Sequence, residues 1–583
     1  MNISSIKYRS SSLLILLLIL IWASFLRFWY LSSIPVSLFG DELDVGYHAY
    51  SILKTGKDYS GNFMPMHFRS LAEWRTPLYI YSAVPTVALF GISPLGVRLP
   101  AAVFGVLGVW LIYLLVKRMT GNSTLGLLSA FFLSISPWHL QYSRAGFEVT
   151  EMLFFYMAGI YALLRGFKNY RWLFLSVFCL GLTPWVYNTA KLFLPLTMIA
   201  ISVIWWKELK VIPGKYLLWA IIIFTVVAGP FTWNTLFGGG TQRIEGISIF
   251  NDPTVISKLG FNRLNDIKVR DKNVIDISQV TLVDKLFHNQ PLSFLGIFMK
   301  NYFQSYSTEF LFIHGDISPR HSSGTGEFYK VQAPFLLLGL IFLLTGAIDK
   351  KTKLFLVFWL LASPIPSSLT KDGGTHATRL ILILPPLILL VSLGVYNTYQ
   401  YLSKYFRWVF IVLFSVLLFF NFVLYQHNYL THYPWQSQIW WHAGFKEAIQ
   451  STVLEGQKYD KAIISGADEP PLIFFLGWSA FPPLVFQQNY PLVKVNLEGV
   501  GEVSKLNKYY FPPIGKERGL YELGKILPKN TLYLTTAKEI KVDLIKEPGR
   551  VPSDLILIKS FSYPSGEPAF YLFTKSEEST TTR

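Results

Sequence analysis

The sequence predicts a polytopic α-helical membrane protein that ends in a small soluble α/β domain. Three observations carry this reading. Of 583 residues, 52% are hydrophobic and only 15% charged, whereas charged residues make up about a quarter of a soluble globular domain. Apolar stretches of about 18 residues, near the length that crosses a bilayer, recur along most of the chain. Beyond residue 425 the pattern changes to short β-rich runs separated by prolines and glycines.

The formal charge of +17 raises the question of a nucleic-acid partner. Its location argues against one. Residues 426–583 hold 17 Lys/Arg against 16 Asp/Glu, so almost all of the surplus lies in the membrane part, where basic loops are expected. The single cysteine, Cys179, excludes an intramolecular disulfide and a cysteine-based metal site, and leaves the redox compartment open.

Taken in order, Lys7 and Arg9 precede an apolar run from Leu13 to Tyr30. A long run with no small-residue cleavage site after it reads as a signal anchor rather than a cleaved signal peptide. Further spans are expected near 98–116, 124–138, 149–165, 172–186, 189–206, 216–234, 332–348, 353–369, 379–398 and 406–425. Residues 77–91 are apolar but short, with Pro85 in the middle. If they do not cross, five short loops become cytoplasmic. Those loops carry thirteen basic residues (among them Lys117, Arg118, Lys350, Lys351 and Arg407) against four in the opposing short loops (Arg144, Lys191, Lys371 and Arg379). The positive-inside rule therefore makes 77–91 a juxtamembrane helix and leaves eleven spans, residues 1–425 forming the membrane domain.

In this topology the first outer loop (31–97), a long insertion (235–331) and the tail all lie outside. The tail divides into an α/β domain at 426–575 and a disordered end at 576–583. Its expected elements are an amphipathic helix at 437–451, burying Trp440, Trp441, Phe445 and Ile449, and strands at 462–465, 492–497, 531–536, 554–559 and 569–574.

The polar chemistry gathers on the outer face. Asp41, Glu42, Asp44 and His48 follow the first span within a few residues. Adjacent carboxylates such as Asp41 and Glu42 point in different directions, so one can meet a substrate while the other orients something else. A carboxylate that accepts a hydroxyl proton is ordinary general-base chemistry. Tyr142 and Arg144, Arg320 and His321, and Arg379 join them, and ionisable groups near membrane depth are costly and usually functional. Outside the cell a group transfer would draw on a lipid-borne donor. Its membrane-embedded polyprenyl tail would leave phosphate and sugar at headgroup level, with basic side chains stabilising the departing phosphate.

At these residues the sequence resembles the C-type (GT-C) membrane glycosyltransferases. The similarity rests on Asp41-Glu42 after the first span, Arg75-Thr76-Pro77-Leu78-Tyr79, Val97-Arg98-Leu99-Pro100-Ala101-Ala102, Ser136-Pro137 with Tyr142-Ser143-Arg144, and Ala377-Thr378-Arg379-Leu380 leading into Leu384-Pro385-Pro386-Leu387. The group it is most similar to is the protein mannosyltransferases, glycosyltransferase family 39, which includes the aminoarabinose lipid A transferases. The resemblance covers roughly residues 10–400 as an ordered series of short motifs. It implies a GT-C fold, a polyprenyl-phosphate-linked hexose donor such as mannose, and inverting transfer to a hydroxyl on a protein, lipid or glycan. It further implies Asp41 as catalytic base or acceptor-positioning residue, Glu42 as its partner, Arg75 at the donor phosphate and Glu151 as an acidic position of the second outer loop. Arg320, His321 and Arg379 are further candidate phosphate contacts, and Tyr142 and Arg144 candidate substrate contacts.

His48, His139 and His376 read as structural. A divalent metal at Asp41 or Glu42 with an outer histidine is open, because the spacing does not specify one. The rival function is a transporter or lipid flippase, which would place polar groups near the bilayer midplane rather than in loops at one face. The topology itself is testable: a reporter fused after residue 120 is expected in the cytoplasm, and an external signal there overturns the arrangement.

Overall fold

The structure is a computed structural model and describes residues 3–70, 74–238, 246–272, 280–346, 348–465, 470–497, 501–513 and 519–576. Of the end expected to be disordered, 576–583, residues 577–583 lie outside the described residues, while Ser576 is buried and donates its amide to the Asp554 carbonyl at 2.9 Å.

Helices occupy each of the eleven stretches expected to span. Five lie in segments that are long and apolar enough to cross a membrane by length and composition: Ser11–Phe28, Pro94–Thr120, Gly214–Phe237, Ala377–Tyr401 and Lys404–Gln436. The other six are Ser123–Ile135, Val149–Gly166, Trp172–Val186, Thr189–Ile204, Ala333–Thr345 and Lys350–Ala362. Residues 77–91 form a separate helix, Leu78–Phe90.

The chain divides into two compact units, the second of which joins residues from both sides of the 425/426 boundary suggested by composition. One unit combines residues 1–27, 104–142 and 148–425. The other combines 28–103, 143–147 and 426–583. Composition marks where apolar sequence gives way to soluble sequence, but it cannot show which distant segments share a core.

In the first unit, helices Ala333–Thr345 and Leu384–Tyr401 approach so closely that glycine is required on both. A Cβ at Gly339 would lie 1.8 Å from the Leu390 carbonyl oxygen, and one at Gly394 would lie 1.9 Å from that of Phe335. Small residues allow this close backbone packing between membrane helices. The Ser129 and Ser392 hydroxyls meet at 2.9 Å on another face of the same helix. Arg27, fully buried in the first helix, donates to the Ser134 carbonyl at 3.1 Å and to His139 Nδ1 at 2.7 Å. His139 is thereby a packing partner within the bundle.

The second unit is built around a seven-stranded mixed sheet of order β4-β5-β6-β3-β7-β9-β8. Its strands are β3 (Lys461–Ile464), β4 (Val493–Leu497), β5 (Gly501–Leu506), β6 (Tyr509–Phe511), β7 (Thr531–Thr536), β8 (Leu555–Ser562) and β9 (Pro568–Lys575). A separate two-stranded ribbon pairs β1 (Phe68–Arg69) with β2 (Trp74–Arg75). β3 runs parallel to β6 and β7, and the remaining pairs of the large sheet are antiparallel.

Alternate residues of the central strands feed opposite faces. Ala462, Ile464, Leu532, Leu534, Phe570 and Leu572 face one core. Ile463, Tyr533, Tyr571 and Phe573 face the other, under helix Leu520–Ile526. The first core also takes in Leu43, Tyr47, Tyr79 and Ile80 from residues 28–103, together with Phe474 and Leu476 of helix Pro471–Trp478. The Tyr47 hydroxyl donates to the Phe481 carbonyl at 3.1 Å, and Gln487 Nε2 reaches the Ser51 and Thr55 hydroxyls at 3.1 and 3.0 Å.

Two details differ from the sequence expectation. The amphipathic helix begins later, at Phe445, because Gly444 takes a left-handed φ of 83°. Trp441, Phe445 and Ile449 are buried there, while Trp440 is exposed. Strands β5 and β6 were not anticipated, since β5 mixes Glu502, Ser504 and Lys505 with only Val503 and Leu506 facing the interior.

Because Leu43, Tyr47 and Tyr79 lie in a core completed by the tail, a chain ending at residue 425 should leave them solvated. Limited proteolysis is expected to cut such a chain within residues 28–103, which resist in the full-length protein. Equal resistance would show that the segment folds without the tail.

Candidate active site

The site is organised by the first turn of helix Gly40–Thr55. Both Asp41 and Glu42 lie there, where the positive end of the helix dipole favours carboxylates. Neighbouring helical residues are rotated by about 100°, so the two side chains diverge.

Glu42 turns inward and is 0% exposed. Its two oxygens accept a fork from Arg98: Nε to Oε1 at 2.7 Å and Nη2 to Oε2 at 2.9 Å. Arg98 is equally buried. Its guanidinium also donates to the Pro35 carbonyl at 2.8 Å and to the Ser37 carbonyl, and it lies 5.4 Å from the centre of the Trp441 ring. The Gly146 backbone N–H completes Glu42 Oε1 at 2.6 Å. Glycine is needed there, because a Cβ would stand 2.9 Å from Val97 Cγ1 and 3.1 Å from Glu42 Cγ.

Asp41 turns outward, with its side chain 52% exposed. Oδ1 accepts from Arg75 Nη2. Arg75 sits on β2, is 5% exposed, and places Nε 2.6 Å from Asp44 Oδ2. Asp44 is three residues beyond Asp41 and therefore on the same helical face. Its other oxygen accepts from the Tyr59 hydroxyl at 2.8 Å. Burial pushes the Asp44 carboxyl above the usual carboxylate range, while Arg75 and the Tyr59 hydroxyl oppose that rise.

Behind this row His48 stacks on Tyr59, with ring centres 3.8 Å apart, and meets the edge of Phe68. Burial lowers the imidazole pKa to about 3, which leaves His48 neutral at physiological pH. His48 is thus a neutral wall behind Asp44.

Arg144 belongs to the same unit and is buried, with its guanidinium 5.5 Å from the Tyr429 ring centre and Nη2 donating to the Ile34 carbonyl at 3.4 Å. The remaining candidates belong to the other unit. There the Tyr142 hydroxyl meets Thr378 Oγ1 at 2.7 Å, and the same oxygen lies 3.0 Å from His321 Nδ1. The His321 ring stacks over Tyr142 at 6.0 Å. Gln141 Nε2 donates to the Arg320 carbonyl at 2.8 Å, and Arg379 Nη1 donates to Thr370 Oγ1 at 2.6 Å and Asp372 Oδ1 at 2.5 Å. Glu151 is buried in the first turn of helix Val149–Gly166.

Beside them Asp316 accepts the Ala377 and Ser318 backbone N–H groups, both at 2.8 Å. Burial raises its carboxyl to about 6, and burial with Asp316 nearby also raises Glu327.

Sequence reasoning passed over Arg98, Asp44, Tyr59 and Gly146 as parts of this site. Asp44 and His48 were open to detection, since Asp41, Asp44 and His48 follow the three- and four-residue spacing of one helix face. No local pattern pairs Glu42 with Arg98 or brings in Gly146. Among the described residues, no three His, Cys, Asp or Glu side chains converge into a group that could hold a metal ion.

Residues 75–233 match the sequence model of the dolichyl-phosphate-mannose-protein mannosyltransferase family. None of the curated proteins matches the chain. Among solved structures, ArnT from Cupriavidus metallidurans bound to undecaprenyl phosphate is 10% identical with a TM-score of 0.50, over 97% of this chain and 98% of that one. The fold is that of the GT-C membrane glycosyltransferases.

A second likeness is to the archaeal oligosaccharyltransferase AglB from Archaeoglobus fulgidus in complex with an inhibitory peptide and a dolichol-phosphate. It is 13% identical over 81% of this chain and 64% of that one, with a TM-score of 0.48. This GT-C chain is a membrane protein whose exposed carboxylate, Asp41, is supported by a buried network.

The Arg98–Glu42 pair gives a measurable consequence. Arg98→Ala leaves a buried carboxylate without its cation, a change that typically costs about 3–5 kcal/mol. A fall of that size is expected in denaturant unfolding of the purified protein, and an unchanged midpoint would show that Glu42 is neutralised another way.

Proposed function

We propose that this protein transfers a hexose from a polyprenyl-phosphate carrier to a hydroxyl of a protein, lipid or glycan at the outer face of the membrane. The observation that carries the reading is the division of labour at Asp41 and Glu42, one carboxylate exposed and the other locked in a buried ion pair. The match of residues 75–233 supports the donor class and makes mannose the first sugar to test. The whole-chain likeness to ArnT supports the scaffold. The excess of basic residues in the opposing loops supports the outward orientation.

In this reading Arg75 occupies Asp41 Oδ1, and Oδ2 is offered to the acceptor hydroxyl. As Asp41 takes the proton, the acceptor oxygen attacks the anomeric carbon from the face opposite the phosphate. The anomeric carbon–oxygen bond to phosphate breaks, its electron pair leaves with polyprenyl phosphate, and the configuration inverts. General-base assistance of this kind contributes about 10²–10⁴-fold in rate.

Arg75, fixed from behind by Asp44 and Tyr59, positions Asp41. The resemblance in sequence also makes Arg75 a proposed donor-phosphate contact, a role in which its charge would stabilise the developing negative charge of the leaving phosphate. Glu42 acts through Arg98 to set the helix start and is a positioning residue. Arg320, His321 and Arg379 are proposed donor-phosphate contacts, and Tyr142, Arg144 and Glu151 proposed substrate contacts, on sequence grounds.

The test uses purified full-length protein with radiolabelled polyprenyl-phosphate mannose. Wild type is expected to cleave the donor, and Asp41→Asn to lose about 10²–10⁴-fold in kcat. Equal turnover by Asp41→Asn removes Asp41 from the mechanism. Movement of intact donor across a vesicle membrane, with no cleavage, would favour a flippase.

A further inference from the structure

The first unit contains a cavity of about 780 Å³ lined by none of the residues proposed for the transfer reaction. It lies among the helices Ile3–Phe28, Ser123–Ile135, Leu384–Tyr401 and Lys404–His427. Trp22, Phe132, Phe414 and Phe422 line its apolar length, and Tyr399 and Gln400 line one end. The lining runs from Thr124 to Ile135 along one helix and from Phe410 to Phe422 along another. At 1.5 Å rise per residue either run is about 17 Å long. The hydrocarbon of one leaflet is about 15 Å deep, half of a core about 30 Å thick. The groove is thus as long as one leaflet is deep, and its walls are mainly apolar along that length.

The Tyr399 end carries a fixed cation. Arg407 places its guanidinium 5.2 Å from the centre of the Tyr399 ring, donating Nη2 to the Gln400 carbonyl at 2.7 Å and Nε to the Leu402 carbonyl at 2.9 Å. Both Tyr399 and Gln400 line the groove, so the charge is held at its mouth. Lys404 begins the neighbouring helix. An apolar slot one leaflet deep with a positive charge at one end matches an amphiphile with one or more acyl chains and an anionic head. By the positive-inside argument this end faces the cytoplasm, where anionic phospholipids attract juxtamembrane basic residues by about 1 kcal/mol each.

We propose that this groove is a specific site for an anionic phospholipid, with an acyl chain between the four helices and its phosphate at Arg407. The site is independent of the transferase reading and involves none of the residues assigned to it.

The experiment compares unfolding midpoints of the full-length protein in mixed micelles doped with phosphatidylglycerol or with phosphatidylcholine. A ligand that binds only the folded state raises the midpoint in proportion to its occupancy. Phosphatidylglycerol is expected to raise the midpoint of wild type and of Arg407→Lys, but not of Arg407→Gln or of the groove-filling Ser415→Trp. Phosphatidylcholine is expected to raise the midpoints of wild type and Arg407→Lys by less. Phospholipid extracted from the purified proteins gives a second readout, with phosphatidylglycerol expected to fall in Arg407→Gln relative to Arg407→Lys. Equal shifts by the two lipids, or an undiminished response in Arg407→Gln, overturn the proposal. So does displacement of bound phosphatidylglycerol by equimolar polyprenyl phosphate, which would assign the groove to the carrier lipid.

Discussion

The buried ion pair between Glu42 and Arg98 is the constraint on which the rest of the exposed site depends. Taking two charges out of water is costly, and such pairs are weak sources of net stability. What this pair supplies is position. Arg98 reaches the carbonyls of Pro35 and Ser37, Glu42 takes the Gly146 amide, and the Trp441 ring covers the guanidinium. Four stretches far apart in sequence are thereby fixed around one helix start, and the direction of Asp41 follows from that fixed start. Arg75, Asp44 and Tyr59 then refine it from the other side.

Much of this was legible from local sequence. Helical periodicity alone separates Asp41 from Glu42, and composition alone locates the spans. The Arg98 partnership was not legible, because the two residues lie 56 positions apart and Arg98 read as the opening of a membrane helix. Gly146 was hidden for the same reason: only the close approach of Val97 and Glu42 explains it. In the tail, β3, β4, β7, β8 and β9 were legible, whereas β5, half polar at its surface, and β6, only three residues long, were not. The helix expected from 437 starts eight residues later because one left-handed glycine overrides the apolar spacing.

The first unit shows two ways of packing membrane helices. Between Ala333–Thr345 and Leu384–Tyr401, glycines bring backbones almost into contact and leave no space for lipid. On another side of Leu384–Tyr401, aromatic and branched residues hold the helices apart and create a groove. One helix therefore has a tight protein-facing side and a loose lipid-facing one. Neighbouring polar residues behave differently again. Asp316 is satisfied by backbone amides, and Arg379 is held by Thr370 and Asp372.

The shared core of residues 28–103 and the tail also dictates an order of events during synthesis. The segment that carries Asp41 leaves the ribosome early, yet Phe481, whose carbonyl takes the Tyr47 hydroxyl, arrives 434 residues later. At roughly 5–20 residues per second, the helix start waits about 20 to 90 seconds for its covering layer. Throughout that interval it presents unburied apolar surface. The competent site is therefore one of the last features of the nascent chain to mature, and the cell must guard an unfinished loop until the final strand docks.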